Sequence, residues 1–206
     1  MDIKNEAQIF GIFPTPIYRS RLNREFTKKE INFFNKSQWK PNQHNRTSVD
    51  NYILENKILV NLKNDINLFT QDYFSKVIRP ASKISPYITQ SWLNITKEKE
   101  EHHRHNHVNS YLSGVLYINA EPDKDDISFV DTRYNQLKVY STEYDAFNSD
   151  IMTFSVENAD IIIFPSYLTH FVRAKKHTNT RVSLSFNVFL KGHLGNENNL
   201  NHLYLK

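Results

Sequence analysis

Between Thr27 and Pro80 the apolar positions recur at helical spacing; beyond it they come in short runs broken by turn residues. The opening stretch, 9–22, reads as an extended apolar segment with turns at Pro14 and Pro16. Thr27 with Glu30 three residues on has the pattern of a capping box, and Ile31, Phe33 and Phe34 follow as apolar positions. Residues 52–78 place Ile53, Leu54, Ile58, Leu59, Leu62, Ile66, Phe69 and Phe74 close to a 3.6-residue period. That spacing predicts one long helix, closed by Pro80. After Pro80 the pattern predicts short strands near 87–96, 102–107, 112–119, 127–130, 137–140, 151–155, 160–164, 169–174 and 181–190. Helices followed by many short strands imply a mainly β domain, a sandwich, jelly roll or barrel, with the helices packed on one outer face of the sheets. The chain then divides into an N-terminal helical support (1–84), a β core (85–190) and a polar, Asn-rich appendage (191–206), all within one domain.

Composition narrows the chemistry. A chain of 206 residues with 14 Phe and 11 Tyr can bury a substantial core. It has no cysteine, which excludes disulfides, a thiolate nucleophile and iron–sulfur ligation, so a metal would fall to His, Asp or Glu. No apolar run approaches the roughly 20 residues of a membrane span, and the first residues lack a signal peptide's apolar stretch. A cytoplasmic protein without a membrane partner is the expectation. The net charge is +4, with 26 basic residues scattered among 22 acidic ones. Nucleic acid is not indicated, because no dense basic block is present. The small positive charge tilts toward an anionic substrate, and a homodimer is left open.

Two segments carry candidate chemistry. In EHHRHNHVNSYLSGVLYIN (101–119), extended backbone puts His103, His105 and His107 on one face and His102 on the other. Two histidines at i and i+2 can converge on one ion, with a third ligand from another strand. A solvated His-rich turn is the bland alternative, with His102 and His103 in water. The apolar strand that follows sets the pair at the mouth of a buried element rather than in a tail. In the second segment, 160–190, a buried strand turns at Pro165, His170 opens the next strand, and the chain returns through RVSLSFNV. Arg181, Ser183, Ser185 and Asn187 share one face of the return strand; Val182, Leu184, Phe186 and Val188 share the other. That polar face either lies in water or lines the inside of a barrel. In the second case Arg181 and His170 lie near each other. A guanidinium beside a metal suits a dicarboxylate chelated at one end and gripped at the other.

Five pieces in order resemble one family: Trp92 and Asn94; His105 and His107; Leu112, Ser113, Gly114, Val115 and Tyr117; Phe164, Pro165, Ser166, Leu168 and His170; Arg181, Ser183, Ser185, Phe186 and Asn187. It is the 2-oxoglutarate/Fe(II) oxygenase family common in marine bacteria and their phages. The FPTPI opening (13–17) and the stretch around Ser48, Asp50, Ile53 and Leu54 are similar too. The resemblance implies a double-stranded β-helix, a cupin-like jelly roll with the metal inside one open end. It implies Fe(II) as cofactor, with 2-oxoglutarate and O₂ as cosubstrates. It implies a hydroxylase-type dioxygenase whose primary substrate is unknown. His105 and His170 match the family's iron-binding histidines. Arg181 matches the residue that binds the 2-oxoglutarate tail, and Tyr117 a position that helps hold the same carboxylate. Asn94 and Ser183 are candidate further contacts. Where the usual triad has Asp, position 107 is His. Either His107 completes a three-His site, or Asp131 supplies a carboxylate, or only two histidines bind; the i+2 spacing favours His107. Asp131 and Arg133, at the expected rim, are candidate substrate contacts, and 132–159 is a candidate lid. Two other classes remain beside this one: a three-His cupin-type metalloenzyme that does not use 2-oxoglutarate, and a catalytically silent jelly-roll binding module.

Overall fold

The computed structural model describes residues 7–132 and 139–206. Two antiparallel sheets form a jelly roll. The larger runs β1 (Tyr18–Arg21), β9 (Asp160–Pro165), β6 (Leu112–Asn119), β11 (Arg181–Leu194), β4 (Ile84–Thr96), β3 (Asn45–Ser48), β2 (Trp39–Asn42), with β12 (Leu203–Leu205) on the far end of β11. The smaller runs β5 (His102–His105), β10 (His170–Val172), β7 (Asp126–Val130), β8 (Ile151–Ser155).

The helices cover the outer face of the large sheet, as the sequence predicts. Helix α1 (Lys28–Asn35) starts on the expected capping box: Thr27 Oγ accepts from the Glu30 amide at 3.2 Å, and the Glu30 carboxylate accepts from the Thr27 amide at 2.7 Å. The long predicted helix is shorter than its apolar period. Residues 53–59 form two 3₁₀ turns, and α2 runs Val60–Tyr73 with a π turn to Ile78. Asn56 causes the interruption. Its backbone is extended and its side chain accepts from the Ile58 amide, a local bond that competes with the helical one. Arg79, in the left-handed region, ends the element before Pro80.

Alternation along the central strands builds two cores. Leu112, Leu116, Leu184, Phe186, Ile161 and Ile163 face the helices. Val115, Tyr117, Ile162 and Phe164 face the small sheet, where they meet Ile127 and Phe129. Strands β6 and β9 are buried on both faces, which is why they read as continuous apolar runs. Gly114 lies opposite Phe186, and a β-carbon there would stand 2.1 Å from the ring. The serine–glycine step of β6 is therefore the seat of the Phe186 ring.

Three segments differ from expectation. A hairpin, β2–β3, occupies 39–48 and extends the large sheet beyond β4. The tail is no loose appendage: β11 continues to Leu194, and β12 returns to pair with its end. The strand expected at 137–140 falls partly outside the described residues, and Val139 and Tyr140 are not in a strand.

Candidate metal centre and the cavity behind it

The open end of the roll is where β5, β10 and the start of β6 meet. His170 of β10 lies opposite His105 of β5. His107 lies just past β5, and its amide donates to the Ser166 carbonyl, which holds the 106–107 turn against the end of β9. The three rings converge, with centroids 4.3 Å apart for His105–His170, 5.1 Å for His105–His107 and 5.2 Å for His107–His170. One ring nitrogen from each lies within 4.8 Å of the others, close enough for a shared ion.

Each imidazole is held by its other nitrogen. The Nδ1 of His105 faces the His103 carbonyl at 2.8 Å, that of His170 the Leu168 carbonyl at 3.0 Å, and that of His107 the Asn187 Oδ1 at 2.6 Å. With three oxygen acceptors on the Nδ1 side, each Nδ1 carries the proton and each Nε2 keeps a free lone pair. This is the arrangement that aims metal ligands. Burial lowers the basicity of all three, to about 4 for His105 and about 3 for His170. At neutral pH the cluster is uncharged, the form that binds a divalent ion. Trp92 stacks on His107 at 5.5 Å, and Phe164 meets His170 edge-on at 4.7 Å.

Behind the histidines a narrow cavity of about 20 Å³, roughly the room for one water, runs inward between the sheets. Arg181 lines it at 2% exposure, with Asn94 and Ser183. The polar face of β11 thus points into the roll. Arg181 donates to Ser183 Oγ at 3.3 Å, and its guanidinium lies over the Tyr117 ring at 4.9 Å rather than on the hydroxyl. Among the described residues no carboxylate pairs with it. Arg181 Nε, Tyr117 Oη and Asn94 Oδ1 are buried without any hydrogen-bond partner. Burial also raises the Tyr117 phenol, so its proton stays available for donation. Unpaired polar atoms gathered around a guanidinium are costly unless a ligand satisfies them.

Some expected residues sit elsewhere. Asp131 follows β7, with its amide on the Asp150 carbonyl, and belongs to neither group of potential ligands that the described residues bring together. Arg133 lies outside the described residues. His102 was expected in water on the opposite face, but its ring stacks on His105 at 4.5 Å and lines the cavity. The cause is a register shift: two steps of β10, His170 to Val172, oppose three of β5, His105 to His102. The extra residue reverses the alternation. His103 is half-buried with an unpartnered Nδ1, not free in water. Asn187 stood on the polar face of β11, but its role as the His107 acceptor was not legible from its spacing. Ser113 joins it there, donating to Asn187 Oδ1 at 3.0 Å.

The fold defines a jelly roll with a candidate metal centre at its open end. Residues 90–187 match the family described as "Putative 2OG-Fe(II) oxygenase". The matched segment spans every motif from Trp92 to Asn187. Among solved structures, an oxidoreductase of the 2OG-Fe(II) oxygenase family from Burkholderia pseudomallei has a TM-score of 0.57 at 13% identity, over 82% of this chain and 83% of that one. HygX from Streptomyces hygroscopicus, crystallised with nickel, 2-oxoglutarate and hygromycin B, has 0.58 at 10%, over 84% and 82%. SnoN, an alpha-ketoglutarate-dependent epimerase from nogalamycin biosynthesis, has 0.57 at 10%, over 85% and 79%. At these identities the likeness is one of fold. A comparison with curated proteins finds no match. Among the described residues no helix is long and apolar enough to cross a membrane.

Proposed function

We propose that the protein is a 2-oxoglutarate- and Fe(II)-dependent oxygenase whose iron is held by His105, His107 and His170. Arg181, with Tyr117, Ser183 and Asn94, receives the distal carboxylate of 2-oxoglutarate. The observation that carries this reading is the unpaired Arg181 guanidinium, buried with two orphaned polar atoms in the cavity that opens onto the three imidazoles. A cosubstrate-free three-His enzyme has no use for that guanidinium, and a silent module has none for three converging Nε2 atoms. The donor set fits the group, since neutral imidazoles bind ferrous iron well and three ligands leave other positions open. Fe(II) with 2-oxoglutarate and O₂ supplies the oxidising power, decarboxylating the cosubstrate to succinate as a substrate is oxidised.

The chain's own residues do the positioning. The Asn187, His103 and Leu168 oxygens fix the three rings before any ion arrives. Arg181 offers a planar fork to a carboxylate, and the Tyr117 hydroxyl adds a donor beside it. Trp92 and Phe164 keep the imidazoles dry, which strengthens every charge interaction inside. Three neutral histidines leave the site one unit more positive than a set with a carboxylate, which favours an anionic cosubstrate. A reducing, cytoplasmic setting suits an iron that must stay ferrous.

The test is anaerobic titration with Fe(II) and 2-oxoglutarate. The weak visible charge-transfer band of the chelate is expected with the wild type and not with His170→Ala. No band at saturating concentrations of both would remove the proposal.

A further inference from the structure

A second hollow lies on the outer side of His107. The loop after β5, the end of β9 and the end of α2 bound a groove of about 590 Å³. His107 lines both this groove and the inner cavity, so one imidazole forms the wall between them. Among the described residues its lining contains no Lys, Arg, Asp or Glu. Tyr111 and Tyr167, 38% and 68% exposed, supply its aromatic surface beside the buried Tyr73, and among the described residues none of the three hydroxyls makes a hydrogen bond. Burial pushes the Tyr73 phenol up to about 12, so it stays protonated and can donate. At the rim the side-chain amides of Asn106 and Asn109 are also without partners.

These features select a ligand chemistry. A charged group entering the groove loses hydration and meets no countercharge. A hydrocarbon leaves three phenols and two amides desolvated and unpaired. A ring with both an apolar face and hydroxyl edges satisfies both conditions, packing on tyrosine rings while exchanging neutral hydrogen bonds. We propose that the groove receives the primary substrate as an uncharged, hydroxyl-bearing ring of glycosyl type, held beside the metal that His107 helps to bind. The inference rests on the oxygenase reading for its reaction and on the groove alone for its ligand class. It reverses the tilt toward an anionic substrate suggested by net charge, because the scattered lysines and arginines do not reach this surface.

The experiment uses the full chain with saturating 2-oxoglutarate and either Mn(II) or diamagnetic Zn(II). The probes are phenyl β-D-glucoside and phenyl β-D-glucuronide, which share their rings and differ by one carboxylate. Saturation-transfer NMR is expected to show the glucoside binding at least about ten-fold tighter than the glucuronide. Its protons should relax faster with Mn(II) than with Zn(II), since the groove shares His107 with the metal. Tyr167, 68% exposed, can be removed without opening the core. Tyr167→Ala should weaken the glucoside about five-fold or more, and Val108→Asp, at a residue 79% exposed, should do the same by adding a charge. Equal or tighter binding of the glucuronide, no binding of either probe, insensitivity to both variants, or equal relaxation with the two metals each overturns the proposal. The Fe(II)–2-oxoglutarate band is recorded on the same protein. A protein that has the band and ignores the glucoside loses only the groove assignment. One that binds the glucoside without the band loses the oxygenase reading.

Discussion

At the histidine end of the cavity each of the three convergent rings has found an acceptor for its Nδ1, whereas at the arginine end three buried polar atoms have none. The two ends share a strand: Asn187 of β11 orients His107, and Arg181, six residues earlier on the same face, reaches the far end. The difference shows what each end awaits. The first is complete except for one electrophile that takes three lone pairs. The second holds two unused donors, Arg181 Nε and the Tyr117 hydroxyl, that an acceptor such as a carboxylate would satisfy, beside one unused acceptor, Asn94 Oδ1. A protein that merely packed its polar residues would have paired Arg181 internally.

The sharpest break in the comparison is removal of a histidine. His170→Ala takes away a ligand that is 5% exposed, and among the described residues no carboxylate joins the cluster to replace it. Metal affinity, measured by competition with a chromogenic chelator, is expected to fall by more than about 100-fold, beyond the range seen when only supporting residues are lost. Retention of near wild-type affinity would mean that the second cluster, His102–His103–His105, holds the ion instead.

A smaller effect separates the two ends. Arg181→Lys keeps the charge and loses the fork. The apparent affinity for 2-oxoglutarate should drop by about 10–100-fold, the equivalent of 1.5–3 kcal/mol of charge-assisted hydrogen bonding. Metal affinity without cosubstrate should stay within about two-fold, because no hydrogen bond links Arg181 to the three rings. Metal binding and cosubstrate binding falling together would mean that the ends are not separable.

Asn187→Ala acts on the first end alone. It removes the acceptor at His107 Nδ1, so that ring loses its orientation. A loss of about ten-fold in metal affinity is expected, at the low end for a supporting residue because Trp92 still stacks on the ring. Asn187→Asp keeps an acceptor and should recover most of it. If alanine binds metal as well as the wild type, the hydrogen bond is incidental.

The second end was more legible in the sequence than the first. The strict alternation in RVSLSFNV put Arg181, Ser183 and Asn187 on one face, and the structure keeps that parity through to Asn187. His102 escaped because a register shift depends on which strand lies alongside, which spacing in one segment does not encode. Asn187 escaped as an anchor because its partner is 80 residues away in sequence. The β2–β3 hairpin escaped because WKPN and NRTS lack the apolar alternation that marks a strand. Its stability comes instead from lying beside β4, where the Leu93 amide donates to Ser48 Oγ at 2.9 Å. The helix at 52–78 was overread because apolar period alone carries no penalty for Asn56, whose side chain prefers to cap.

The smallest expected effect concerns protons. In the folded, metal-free protein His105 and His170 sit at about 4 and about 3, against the ordinary 6.5 expected once the chain unfolds. About one pH unit or more above 6.5 both states are essentially neutral at these residues, and neither contributes to pH dependence. As the pH falls below that value, the unfolded chain takes up protons that the folded cluster refuses. Stability is therefore lost progressively down to about pH 4 for His105 and about pH 3 for His170. Each such group steepens the decline by at most about 1.4 kcal/mol per pH unit. Urea unfolding of the metal-free protein at pH 7.5, 6 and 5 reads this directly. Carboxylates elsewhere contribute equally to wild type and variant, so the informative quantity is the difference in slope. His170→Gln, which cannot protonate in this range, should decline less steeply between pH 6 and 5 than the wild type. Equal slopes for the wild type and His170→Gln would mean that the buried imidazole gains no such shift, and that the cavity is wetter at its histidine end than its packing implies.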